Sequence, residues 1–180
     1  VRSISSFISK KIANKLKELL NNKPQFYAEI WDSISAFVKI GVMEDEKFSE
    51  LAQNNIIFET KLGLDSNSEN DIEVNSLIKH KEKLYTTLEN YQKRNISNEE
   101  KKIIYCSDEI SQSSALNLWL SNNSEVIKAD PLIDSQFIPW LESQNDKYKF
   151  LRVDSEINDE QDKNSPEIVD KDGKSNTDNI

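Results

Sequence analysis

One histidine, one cysteine and three glycines bound the chemistry open to this chain of 180 residues. His80 sits in a lysine-rich stretch, "IKHKEK", with no second imidazole or thiol at ligand spacing, so it reads as a solvated surface histidine rather than a metal ligand or an acid–base group. Cys106 ends the apolar run "KIIYC" and reads as a buried core thiol. With the only histidine far away in sequence, nothing is at hand to lower its pKa into the reactive range. A single cysteine also rules out an internal disulfide and is compatible with a reducing compartment. Gly41, Gly63 and Gly173 are too scattered to form a phosphate-cradling loop.

Carboxylates offer more. "CSDEIS" (106–111) and "ADPLID" (129–134) both follow short apolar runs, and ligands of open parallel sheets bind at such strand ends. Asp108 and Glu109 have the chemistry to hold a cation there, but acids in that position more often serve helix entrances. In the second loop Pro131 suggests a turn and Asp134 a helix cap.

These loops must be positioned by surrounding elements. In "SISSFISKKIANKLKELLNN", Ile4, Ile8, Ile12, Leu16, Leu19 and Leu20 form one stripe at helical spacing, with lysines opposite, and Asn21, Asn22 and Pro24 end it. "FYAEIWDSISAFVKIG" repeats the pattern through Tyr27, Ile30, Trp31, Ile34, Phe37 and Val38, with Gly41 expected as its left-handed stop. Glu44, Asp45 and Glu46 then stand where the positive end of a third helix dipole would lie, ahead of Phe48, Leu51 and Ala52. "NNIIFET" leads away from this three-helix coil. Residues 61–75 are polar and turn-rich, a mobile loop by composition. The spacing of Leu77, Ile78, Leu84, Tyr85, Leu88 and Tyr91 predicts a fourth helix.

Periodicity then switches. "KIIYCS", "EVIKA" and "KYKFLRV" read as strands, and the two segments between them read as helices. This predicts a small βαβαβ parallel sheet with right-handed crossovers, an α/β sandwich following the coil. Pro139 either starts the second of those helices or kinks it. Trp31 and Trp119 are expected in the core. Phe137 and Trp140 lie three apart around Pro139; core packing is the favoured reading, and whichever of them is exposed is the candidate for an aromatic contact with a partner.

The net charge of −9 is uneven: Asp154 to Ile180 carry nine acids and three lysines, which leaves −3 for the first 153 residues. That balance disfavours nucleic-acid binding, which needs a concentrated basic face. No apolar run is long enough to span a membrane and no secretory leader is visible, while the start at Val1 suggests a piece of a longer protein. Residues 154–180 are too polar to offset their ordering entropy and read as a disordered acidic linker. The organisation read from the chain is thus a helical coil over 1–62, a small α/β part over 63–153, and the tail.

Four stretches in order carry a family likeness. "YAEIWDSISAFVKIGVMEDEKFSELAQNNIIFET" resembles the middle segment of heat shock protein 90 chaperones of the bacterial HtpG kind, with its Lys-x-Gly-x-x-Glu-Asp and terminal aromatic-x-Thr. Lys39, Gly41, Glu44, Asp45, Phe58 and Thr60 fill those places. "SLIKHKEKL", "KIIYCSDE" and "SEVIKADPLID" resemble the segments that follow. An insertion after Tyr85, the Pro139 helix, and Asn55-Ile56-Ile57 in place of the usual Leu-Leu-Arg mark a divergent member.

The resemblance implies the distal part of the middle domain of an ATP-dependent cytoplasmic chaperone. It implies client proteins as partners, along with the N-terminal ATPase and C-terminal dimerisation domains of the same polypeptide. ATP and Mg would belong to the parent protein and no cofactor to this segment. The family's catalytic arginine loop lies upstream of the first helix, so no residue here, Arg2 included, inherits that role. The competing reading is a small ligand-binding or enzymatic module using the strand-end loops 106–111 and 129–134.

Overall fold

A computed structural model describes residues 2–63, 76–95, 102–144 and 146–155, with side chains from Ser6 onward apart from the same gaps. The disordered-tail reading beyond Ser155 and most of the mobile-loop reading fall outside these residues. Three helices open the chain: α1 (Arg2–Asn22), α2 (Pro24–Glu44) and α3 (Glu46–Ala52). A single 3-10 turn, Gln53–Asn55, leads into β1 (Ile57–Lys61). The hairpin β2 (Ile78–His80) and β3 (Lys83–Thr87) precedes α4 (Leu88–Arg94). The final part is β4 (Lys102–Cys106), α5 (Ser113–Ser121), β5 (Val126–Lys128), α6 (Asp134–Gln144) and β6 (Lys149–Arg152).

The six strands form one sheet in the order β2-β3-β1-β5-β4-β6. Its second half is the expected β5-β4-β6 parallel unit, with β4 central and paired to both neighbours. The first half is antiparallel and extends the sheet beyond what the periodicity predicts. β1 belongs to the coil segment in sequence, yet it is hydrogen-bonded inside the sheet between β3 and β5.

Residues 77–87 are not helical. Ile78 lies directly across from Tyr85 and His80 from Lys83, closed by the two-residue turn Lys81-Glu82. Lys81 takes the left-handed conformation (φ 54°) usually left to glycine or asparagine, so no turn residue announces the hairpin. The expected helix survives only as α4, whose N-cap Thr87 accepts a hydrogen bond from Asn90 N.

Gly41 likewise does not end α2, which continues to Glu44. A Cβ at Gly41 would stand 3.1 Å from the Phe48 ring, so the glycine lets α3 approach α2. Asp45 ends one helix and caps the next: its Oδ1 accepts from Phe48 N at 3.1 Å, as the acidic cluster implied. Those backbone and side-chain donors hold its pKa below the ordinary aspartate value.

One face of the sheet shares a continuous core with the coil. It joins Leu16, Tyr27, Trp31 and Val42 to Phe58, Tyr85, Ile127, Phe137 and Leu141. On the opposite face α5 packs Ala115 and Leu116 over Ile104, Cys106, Val126 and Val153, with Trp119 partly buried beside them. Trp119 Nε1 also donates to Val153 O at 2.9 Å. Helices thus cover both faces, which explains the apolar character of the central strands. Pro139 lies inside α6, five residues after the helix begins.

Candidate functional site

α2 and the sheet meet at an ion pair that sequence periodicity does not reveal. Lys39 Nζ and Asp134 Oδ1 are 2.6 Å apart, with side chains 4% and 1% exposed. The ammonium sits over the Phe58 ring at 4.6 Å and the Phe137 ring at 5.7 Å, so two aromatic faces supplement one carboxylate. The second oxygen of Asp134 accepts from Asp130 N at 2.7 Å. Burial raises the Asp134 pKa, while Lys39 and the Asp130 amide oppose the rise. Asp134, expected as a helix cap, stands at the start of α6 and is a buried anchor joining α6 to α2.

This pair forms the floor of a cleft of about 270 Å³ between α2, β1, β3 and the loop after β5. Glu59 and Asp32 share Lys83 at its rim, at 3.0 and 3.7 Å. The Glu59 contact is the main reason the Lys83 pKa is raised.

A second buried cluster ties the antiparallel half of the sheet to the parallel half. Arg94 makes two hydrogen bonds to Glu125, Nη2 to Oε1 at 2.7 Å and Nε to Oε2 at 3.1 Å. It also donates to Thr86 Oγ1 and Ser76 Oγ. Thr60 Oγ1 and Asn95 Nδ2 complete the shell around Glu125. Such a planar fork suits the guanidinium and no other side chain.

The strand-end loops are built alike. Asp108 Oδ1 accepts from Ile110 N and Ser111 N, and Asp130 Oδ1 accepts from Leu132 N and Ile133 N. Each carboxylate is thus engaged in its own turn, and they do not converge: Asp130 lines the cleft and Asp108 does not. Glu109 bridges Lys61 and Lys128, and the Lys61 contact is the main cause of its lowered pKa. Gln112, unremarkable in sequence, holds the first loop by accepting from Ser107 N and Asp108 N at 2.9 and 3.0 Å. Cys106 is a buried thiol whose Sγ donates to Gln112, and burial raises its pKa. His80 is half-buried on β2. Among the described residues no group of three or more His, Cys, Asp or Glu could hold a metal, and no helix is long and apolar enough to cross a membrane.

The exposed-aromatic expectation needs correction. Phe137 is fully buried beneath Lys39, because α6 turns that face onto the sheet. Trp140 is half-buried and stacks on Phe137 at 5.7 Å, so only part of its ring is presented. Among the described residues the large apolar side chains most open to solvent are instead Ile110, Leu132 and Phe37, at 88%, 82% and 77% exposure. Phe37 edges an apolar groove of about 390 Å³ between α1, α2 and α3.

This architecture has the fold of a heat shock protein's middle domain. The middle domain of a heat shock protein from Plasmodium falciparum superposes with a TM-score of 0.58 at 21% identity, covering 84% of this chain and 56% of that one. In sequence the chain is similar to chaperone proteins HtpG of two bacteria. It is 29% identical over 161 residues to HtpG of Porphyromonas gingivalis and 26% identical over 164 residues to that of Bacteroides fragilis. These alignments take in 87% and 88% of the chain but only 21% of either relative's length. No protein-family model matches it. The positions that carried the likeness now have physical roles: Lys39 forms the buried pair, Gly41 admits Phe48, Asp45 caps α3, Phe58 lies under Lys39 and Thr60 binds Glu125.

Proposed function

We propose that this chain is the middle-domain part of an ATP-dependent chaperone. In that reading it relays nucleotide-driven rearrangement from an ATPase domain to a dimerisation domain and offers surface to client proteins. ATP and Mg act elsewhere in the parent polypeptide, and this part hydrolyses nothing alone. The observation that carries the reading is the joint between coil and sheet: a shared apolar core pinned by the buried Lys39–Asp134 pair. A lever transmits displacement only if its two arms do not rotate freely. A directional ion pair within close-packed aromatics removes that freedom.

The test is ATP turnover and suppression of client aggregation by the parent protein, with the 180-residue chain as control. Slow turnover by the parent and none by the chain is expected. Lys39→Met in the parent should reduce client protection more than basal turnover. A parent with neither activity would overturn the proposal.

A further inference from the structure

From the twin turns after β4 and β5, the geometry points to a two-point docking surface, Ile110 and Leu132, for an extended unfolded segment whose apolar side chains are flanked by basic ones. The inference rests on the chaperone reading and names the contact surface within it.

Both anchors are made the same way. In each loop an aspartate two residues ahead of the apolar side chain accepts that residue's backbone N–H, from Ile110 N at 2.9 Å and from Leu132 N at 2.8 Å. The turn lifts the side chain off the protein, leaving it 88% or 82% exposed. The loops leave adjacent strand ends, since β4 and β5 pair in parallel and Ala129 N donates to Cys106 O at 2.9 Å. They lead into α5 and α6 on opposite faces, so the two tips flank one end of the β4–β5 pair. Gln112 holds one loop rigid from beneath and Asp134 the other. Pre-formed supports mean that little ordering entropy is lost when a partner covers the tips.

The charge around the tips selects the partner. Asp108 and Asp130 are exposed beside their anchors. The turn donors around Asp108, its Ser111 neighbour first, keep it ionised well below neutral pH. Glu109 is neutralised by Lys61 and Lys128. An apolar tip beside a carboxylate with no ion-pair partner among the described residues, repeated after adjacent strands, complements apolar residues flanked by lysine or arginine. Two small apolar anchors make a weak, rapidly exchanging contact, suited to many segments rather than one.

The experiment uses the 180-residue chain and two fluorescein-labelled unfolded peptides of equal length, with two leucines flanked by lysines or by glutamates, read by anisotropy. The lysine peptide is expected to bind at least tenfold more tightly at low salt, with the difference shrinking as salt rises. Ile110→Ser/Leu132→Ser should weaken it by about tenfold or more, since each substitution removes most of an exposed apolar side chain from the contact. Trp140→Ala should leave it within about twofold. At such exposure the double substitution leaves the core untouched, which circular dichroism verifies. Unchanged binding by the double variant, equal binding of the two peptides, or no binding by the wild-type chain each overturns this surface. Client protection by the parent, measured separately, would still stand in any of those cases.

Discussion

Lys39 and Asp134 are each costly to bury alone, and they respond differently to losing the other. Asp134→Ala strands a cation between two aromatic rings, and a drop of about 3–5 kcal/mol in urea-unfolding free energy is expected at neutral pH. Lys39→Met leaves a carboxyl group that can escape the penalty by keeping its proton, in the direction burial already moves it. A raised folded-state pKa means the native protein holds the proton that the unfolded chain releases. Lys39→Met should therefore lose stability as pH rises from about the unfolded aspartate value through the raised native one, with acid conditions the least damaging. A pH titration of the melting temperature checks the sign. Asp45 behaves in the opposite sense: its native pKa is lowered, so its contribution is present above the unfolded value and lost as pH falls through the native one. Asp45→Asn keeps the cap but should flatten that acid limb.

Between elements, contacts depend on groups that fit only one way. A Cβ at Gly63 would meet the Asn123 backbone Cα at 2.3 Å. Gly63→Ala must therefore separate the end of β1 from the turn after α5, and a loss of at least about 2 kcal/mol is expected from thermal unfolding. Arg94→Lys should be nearly as damaging as Arg94→Met, because an ammonium cannot reproduce the fork to Glu125 while also reaching Thr86 and Ser76. If Arg94→Lys unfolded at the wild-type denaturant midpoint, the bidentate geometry would not matter. The elements were unequally legible in sequence. α1, α2 and α3 were readable because apolar residues recur at helical spacing, even though Ile8, Ile12 and Phe37 of those stripes are exposed, and the βαβαβ unit because short apolar runs alternate with helical segments. The β2–β3 hairpin was not: Ile78, Leu84, Tyr85 and Leu88 satisfy helical spacing as well as strand alternation. The turn between the strands uses lysine and glutamate where glycine or asparagine would have announced it.

For the whole molecule, one apolar core running from α1 and α2 through the sheet to α6 predicts a single cooperative transition rather than separate melting of coil and α/β part. Hydrogen exchange should give α2 and β1 the same opening free energy, and two distinct values would break the joint. The sequence by itself determined which residues are apolar, where five of the six helices lie, the missing catalytic and metal signatures, and the ordered likeness to a chaperone family. Each of these is a local property, written in neighbours a few positions apart. Only the tertiary structure decided that Lys39 meets Asp134, that Arg94 meets Glu125, that Phe137 is covered and that Ile110 and Leu132 are not. Those facts depend on which distant segments share a face, and a lysine at helical spacing looks the same in sequence whether it meets water or a carboxylate 95 residues away.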